Sequence, residues 1–305
     1  MSSSKTSHLE RTAAEPRDKS LNIVKLQRIE EINETTRLFR LEIPASGRPI
    51  RFLPGQWLDV FVPGIPKAGG FTITSPPSKA QPRSSTTTSN STSDQATEPG
   101  YLELAIQKSP ENPPAAWLWQ DPAASLIGRE LQIRVGGSFV WPPPGVNAQT
   151  LRRVVFVAGG VGINPLISML SDIAEKGSAG FAVSFLYSLK DPGPGRRDAA
   201  KILFLERLHD LFKSGKVNGE LRLFLTGGGA GKGTIKCGGE DEISFEGRRL
   251  GKQDLEEAVG HTVDRRFTVV YVCGLPTMTD EFVEDLTDPK GLGMAPHTVL
   301  REKWW

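Results

Sequence analysis

Val154-Val155-Phe156-Val157-Ala158-Gly159-Gly160-Val161-Gly162-Ile163-Asn164-Pro165 is the stretch that decides how this chain folds. An apolar run rich in β-branched residues reads as a strand, the glycines as a tight turn, and the segment from Pro165 as a helix. Proline suits a first helical turn, where its missing N–H has no intrahelical partner. In such a turn the backbone can approach a pyrophosphate, and the helix turns unpaired N–H groups and its positive dipole end toward it. A tight strand-to-helix turn needs glycine even with no ligand present, so the spacing alone leaves both readings open.

Working downstream, apolar runs at 181–188, 220–226, 267–273 and 297–301 repeat the strand signal. Segments 165–176, 199–214, 253–259 and 277–286 carry helical spacing between them. Alternation of this kind predicts a doubly wound parallel sheet with right-handed crossovers, which binds ligands beyond the carboxyl ends of its strands. The fourth strand ends in Cys273-Gly274-Leu275-Pro276-Thr277-Met278, which places a thiol at that edge. A second glycine cluster, Gly227-Gly228-Gly229-Ala230-Gly231-Lys232-Gly233-Thr234, fails as a phosphate loop because Gly233 follows Lys232 where Ser or Thr is required. It reads as a flexible surface loop.

Upstream the pattern is different. Short apolar runs at 21–29, 36–43, 57–62, 71–75, 101–107 and 130–135 are broken by Gly and Pro, as in strands. Six such strands avoid open edges by closing into an antiparallel barrel. The Ser/Thr-rich stretch 78–100 reads as a disordered insertion, residues 1–20 as a flexible N-terminus, and Trp141-Pro142-Pro143-Pro144-Gly145 as a linker. The expected organisation is a barrel over 21–145 and an α/β domain over 150–305.

Composition narrows the function classes. The 37 basic and 35 acidic side chains nearly cancel, so no overall field draws the chain to nucleic acid or an anionic membrane. A small molecule or a protein is the more natural partner. Only Cys237 and Cys273 occur, without paired spacing, and His8, His209, His261 and His297 show no metal-ligand pattern. Metal chemistry is not expected. No apolar run reaches the length of a membrane span, and the start lacks the apolar core of a secretory signal.

Pro54-Gly55-Gln56, Phe71-Thr72-Ile73-Thr74-Ser75, the 159–165 turn and the Cys273-Gly274-x-Pro276-x-Met278 turn occur in the order seen in the ferredoxin–NADP reductase superfamily, which this chain resembles. A nearer likeness, to a mitochondrial subgroup in animals, adds His8-Leu9-Glu10-Arg11-Thr12-Ala13, Gly69-Gly70-Phe71, Asn112-Pro113-Pro114-Ala115 and Glu302-Lys303-Trp304-Trp305. The resemblance implies a six-stranded antiparallel Greek-key β-barrel of the flavin-binding type, followed by an NAD(P)-binding α/β domain with sheet order 3-2-1-4-5. It also implies hydride transfer from NAD(P)H to FAD or FMN, and electrons passed on to an acceptor that the sequence does not identify, a protein or a small molecule.

By the same resemblance Phe71 would pack on the flavin ring and Thr72 would hydrogen-bond near its reactive nitrogen, beside Ile73 and Thr74. Strand alternation puts one of Phe71 and Thr72 on the barrel's inner face. Pro113, Pro114 and Ala115 would open a helix that caps the flavin phosphates. Gly159, Gly160, Val161, Gly162, Ile163, Asn164, Pro165 and Ser188 would receive the dinucleotide. Cys273, Gly274, Pro276 and Met278 would lie by the nicotinamide, with the thiol packing and polarising it, and Trp305 would cover the flavin.

The chain departs from the superfamily at Gly69, where an arginine normally pairs with the flavin phosphate; Lys67 and Lys108 are candidate substitutes. Ser188, Lys190, Asp191, Arg196 and Arg197 fit either NADH, through an acid on the ribose, or NADPH, through cations on a 2′-phosphate. The resemblance points to mitochondria. Glu10, Glu15 and Asp18 do not suit a transit peptide and favour the cytoplasm.

Overall fold

The computed structural model describes residues 8–46, 49–84, 97–177, 180–228 and 231–303. The chain divides into two compact units, Met1–Ser138 and Phe139–Trp305.

The first unit opens with a one-turn helix α1 (His8–Arg11), then strands β1 (Asn22–Asn33), β2 (Thr36–Glu42), β3 (Trp57–Phe61) and β4 (Gly69–Thr72). A two-stranded ribbon follows, β5 (Arg83–Ser84) on β6 (Thr97–Glu98), then β7 (Tyr101–Gln107), helix α2 (Pro113–Leu118) and β8 (Glu130–Gly136). The six long strands form one antiparallel sheet in the order β4-β3-β8-β1-β2-β7. An antiparallel bridge between Ile73, just past β4, and Leu104 of β7 closes that order on itself. Alternate residues fill the interior: Val24, Leu26, Phe39, Leu41, Leu58 and Val60 are fully buried. Each such side chain stabilises the barrel by roughly 1.5–3 kcal/mol relative to exposure.

Two sequence expectations are corrected in this unit. The ends of the supposed disordered stretch 78–100 are folded, into a short 3-10 turn at Pro77–Ala80 and the β5–β6 ribbon; residues 85–96 lie outside the described residues. The N-terminal segment is not a loose tail from His8 onward. Asp59 is fully buried in the middle of an apolar strand, and an isolated carboxylate there would carry a heavy desolvation cost. His8 Nε2 lies 3.0 Å from Asp59 Oδ1, Arg17 Nε donates to Oδ2 at 3.1 Å, and Arg134 Nε and Nη2 donate to Oδ2 at 2.8 and 2.6 Å. The backbone joins in, with Asp18 N–H donating to Val135 O at 2.9 Å and Gly137 N–H to Pro16 O at 3.0 Å. Residues 8–18 thus form a strap across the outer face of β3 and β8.

The second unit runs β9 (Arg153–Gly159), α3 (Ile163–Lys176), β10 (Ala182–Lys190), α4 (Leu205–Lys213), β11 (Gly219–Thr226), β12 (Lys232–Lys236), β13 (Glu242–Glu246), α5 (Lys252–Val259), β14 (Thr268–Gly274), α6 (Pro276–Thr287) and β15 (Val299–Lys303). Its sheet order is β12-β13-β11-β10-β9-β14-β15. The five strands β11-β10-β9-β14-β15 are parallel and reproduce the order 3-2-1-4-5. Helices α5 and α6 share one apolar cluster with Val155, Val157, Val270 and Val272. Helix α3 packs on β9 and β14, and α4 on β11.

The hairpin β12–β13 corrects the reading of the second glycine cluster. Part of that cluster is an antiparallel strand, with Gly233 paired to Phe245, and β13 joins β11 in parallel at Leu223↔Phe245 and Phe224↔Glu246. Gly233 is small enough to leave room for the Phe245 ring beneath it.

Candidate functional site

Strand order reverses between β9 and β14, and Cys273 sits beside Ala158 in that register. The loops leaving both strands therefore emerge side by side, the arrangement that opens a ligand crevice in doubly wound sheets. The glycines there have different jobs. A Cβ on Gly162 would overlap the Cys273 carbonyl, so only glycine lets the two loops touch. Gly160 has φ +54 and nothing within 4 Å of where its Cβ would be: it is a left-handed turn facing open space. The Met278 thioether fills the gap between the two loops; a Cβ on Gly159 would fall 2.7 Å from its Sδ, and one on Gly274 2.5 Å from its Cε. Helix α3 starts immediately after, with Ile163, Asn164 and Pro165 buried in its first turn. Val161 lies in the short 3-10 turn between strand and helix, and Pro276 opens α6. Cys273 itself is fully buried, and Ser188 of β10 lies level with Gly159. This brings together the sequence-derived nucleotide residues, with Cys273 held in the sheet and Leu275, at 65% exposure, at the surface.

Directly beyond β10, the Asp191 carboxylate is already engaged. Arg197 donates to it twice, Nε to Oδ1 at 3.0 Å and Nη2 to Oδ2 at 2.6 Å, and Gly193 N–H donates to Oδ1 at 2.9 Å. Those hydrogen bonds, led by the Arg197 guanidinium and outweighing partial burial, hold Asp191 below the ordinary carboxylate range. The Arg197 guanidinium lies 4.7 Å from the Phe245 ring centroid. Phe245 was not singled out in the sequence, and the alternating Ile243-Ser244-Phe245 pattern after Gly238-Gly239 was the signal for its hairpin.

In the barrel, the sequence-derived flavin residues gather at the closure seam. Register pairs Phe71 with Leu58 and Thr72 with Trp57, so Phe71 takes the inner face and Thr72 the outer. The Phe71 ring joins the barrel's apolar cluster, as does the fully buried Ile73. Thr74 Oγ1 donates to Glu103 Oε1 at 2.9 Å, while the buried Thr72 hydroxyl has no hydrogen-bond partner among the described residues. Pro114 and Ala115 are buried in α2, behind exposed Pro113. A Cβ on Gly69 would fall 2.6 Å from Phe71 Cε2 and 2.9 Å from Pro114 Cβ, so a side chain at position 69 would have to displace the Phe71 ring and Pro114. Of the two substitute cations, Lys67 is exposed and Lys108 Nζ lies 5.5 Å from the Trp119 ring centroid, at the far end of α2 from Pro114. Trp305 lies outside the described residues.

No protein-family model matches the chain. Among solved structures, the fold is similar to a ferredoxin NADP+ reductase from Neisseria gonorrhoeae with bound FAD and NADP, at TM-score 0.64 and 16% identity, covering 94% of this chain and 100% of that one. It is also similar to the FAD/NAD-binding domain of nitric oxide dioxygenase from Vibrio cholerae, at TM-score 0.63 and 14% identity, covering 93% and 98%. At these identities the likeness establishes the ferredoxin-reductase type of fold. In sequence, the chain is 32% identical over 315 residues to oxidoreductase NAD-binding domain-containing protein 1 of Xenopus laevis, covering all of this chain and 86% of that protein. The human protein of the same name is 27% identical over 310 residues, covering 99% and 85%. By sequence similarity over its whole length, this chain belongs to the oxidoreductase NAD-binding domain-containing protein 1 family.

Proposed function

We propose that the chain is an NAD(P)H-dependent flavin oxidoreductase that takes hydride from a nicotinamide dinucleotide and passes electrons to a further acceptor. The observation that carries this reading is the turn at the switch point, where Gly160 presents open backbone and Gly162 seats the turn against Cys273. Helix α3, running 14 residues from that turn, turns its first N–H groups and positive dipole end toward an incoming pyrophosphate. Buried Cys273 and the Met278 thioether form an apolar floor that keeps water from the nicotinamide end.

On the barrel, the buried Thr72 hydroxyl, without a partner among the described residues, fits a flavin ring nitrogen, since buried polar groups are nearly always hydrogen-bonded. Flavin, when bound, supplies the hydride acceptor; the protein supplies position and a dry surface. The phosphate end fits less well, because position 69 is a glycine crowded by Phe71 and Pro114 and supplies no cation.

That missing cation favours one second reading, a dinucleotide-binding scaffold or sensor without tightly held flavin. The two separate in one assay. With added FAD and ferricyanide as artificial acceptor, the oxidoreductase consumes NADH or NADPH catalytically. A chain that binds dinucleotide but shows no FAD-dependent consumption is the scaffold.

A further inference from the structure

We infer that β12 is a docking edge for an extended segment of a partner protein, which carries carboxylates opposite Lys232 and Lys236 and joins the sheet as a further antiparallel strand.

A strand at the end of a sheet leaves half of its backbone groups unpaired, and those groups are a template for another chain. β12 ends the sheet order, with β13 as its neighbour. The bonds at the two ends of the hairpin show which groups point outward. Cys237 N–H donates to Asp241 O at 2.8 Å and Gly247 N–H to Gly231 O at 2.6 Å. Hydrogen-bonded and non-hydrogen-bonded pairs alternate along an antiparallel ladder. In this register, which pairs Gly233 with Phe245 and Ile235 with Ile243, the backbone at 231, 233, 235 and 237 bonds inward to β13. The N–H and C=O groups of Lys232, Thr234 and Lys236 point away from it, and all three residues are exposed.

The edge is braced. Phe245 packs against Gly233, and the Arg197 guanidinium lies 4.7 Å from the centroid of that ring. At the hairpin tip Asp241 pairs with Lys213 of α4, and His209 Nε2 lies 3.6 Å from Asp241 Oδ2. A strand held in this way already has its bound conformation, which lowers the ordering cost of docking.

Charge selects the occupant. Cations at the opposite end of the sheet are already engaged, with Lys303 Nζ 2.6 Å and Arg301 Nη1 3.9 Å from Asp280 Oδ1. Lys232 and Lys236 form no ion pair among the described residues. Pairing β12 with itself about Thr234 would set Lys232 against Lys236 twice, which disfavours a second copy of this chain. Carboxylates at those two positions turn the repulsion into attraction. Lys232 is the stronger contact. Glu246, across from it on β13, is held by Arg222 and Arg248 at 3.1 and 2.7 Å, whereas Glu242, across from Lys236, has no cation of its own among the described residues and offsets part of the Lys236 charge.

Fluorescence anisotropy of the full chain with labelled synthetic peptides tests this. The first peptide alternates valine and threonine, with glutamate replacing two threonines spaced as Lys232 and Lys236 are. A peptide with lysine in both places should bind about tenfold more weakly, the effect of two cross-strand charge pairs. Lys232→Glu/Lys236→Glu should invert that preference, and Lys232→Ala should weaken the glutamate peptide more than Lys236→Ala. Methylating the glutamate amides, which face β12, should abolish binding, while methylating the valine amides should leave it unchanged. Thr234→Pro removes an outward N–H and leaves the β13 ladder intact, so it should abolish binding at an unchanged circular dichroism spectrum. No saturable binding of the glutamate peptide, equal binding of the two peptides, or indifference to which edge is methylated would overturn the inference. Self-association of the chain that Thr234→Pro abolishes would overturn it too, by making a second copy the occupant.

Discussion

The Cys273 carbonyl oxygen lies where a Cβ on Gly162 would have to go. The end of β14 and the turn after β9 are therefore in backbone contact, and that contact holds open the turn at Gly160.

Alanine at the two glycines should separate these roles. Gly162→Ala collides with backbone that cannot rotate away and should both destabilise the chain and weaken dinucleotide binding. Gly160→Ala meets no atoms and suffers only its left-handed conformation, about 1–2 kcal/mol. Urea unfolding followed by circular dichroism should rank Gly162→Ala as the more damaging; the reverse order would mean the loops do not touch.

The Asp59 cluster makes the N-terminal strap sensitive to acid. Burial by itself would raise the Asp59 carboxyl, but hydrogen bonds from His8 and Arg134 and the charges of Arg17 and Arg134 outweigh it and depress the value. A group depressed on folding contributes stability that is present above its unfolded value, about 3.9, and is lost as pH falls through the lower folded value. Hydrogen exchange of residues 8–18 should therefore stay slow at neutral pH and accelerate below about pH 4. Asp59→Asn should release the strap at all pH values and cost about 2–3 kcal/mol, since it leaves the partly buried Arg17 and Arg134 without their counter-charge.

Restoring the superfamily's arginine should not restore its flavin affinity. Gly69→Arg drives a side chain into Phe71 and Pro114, so its melting temperature should drop and its FAD dissociation constant should be no lower than that of the unaltered chain. A stable, deep-yellow Gly69→Arg protein would show that the barrel can open at this point.

Thr72→Val tests the seam. The hydroxyl has no partner among the described residues, so its removal should leave the flavin-free chain as stable or up to about 1 kcal/mol more so. FAD affinity should fall roughly fivefold to tenfold if the hydroxyl meets the ring. Unchanged affinity would place the flavin elsewhere.

Much of this fold was legible because it is written in local periodicity. Short apolar runs broken by Gly and Pro marked the barrel strands, and apolar runs separated by helical spacing marked the parallel sheet. The strap was not legible: His8 and Arg17 are ordered by Asp59, 51 and 42 residues away, and no window of sequence holds both partners. A lone carboxylate inside Trp57-Leu58-Asp59-Val60-Phe61 was the available clue. The β12–β13 hairpin was hidden by glycines that suggested a loop, though Gly233 is needed for Phe245 to pack. At the nucleotide site the sequence placed Asp191 and Arg197 in one loop, but only the three-dimensional geometry shows that they hold each other.

The most direct measurement is anaerobic, single-turnover mixing of the FAD-loaded chain with NADH and with NADPH, followed by absorbance. Hydride transfer at this site predicts loss of the oxidised flavin band in step with oxidation of one of the two, slowed when the transferred hydrogen is replaced by deuterium. A flavin band that persists with both while the chain demonstrably binds dinucleotide would contradict the oxidoreductase reading and leave a nucleotide-binding scaffold.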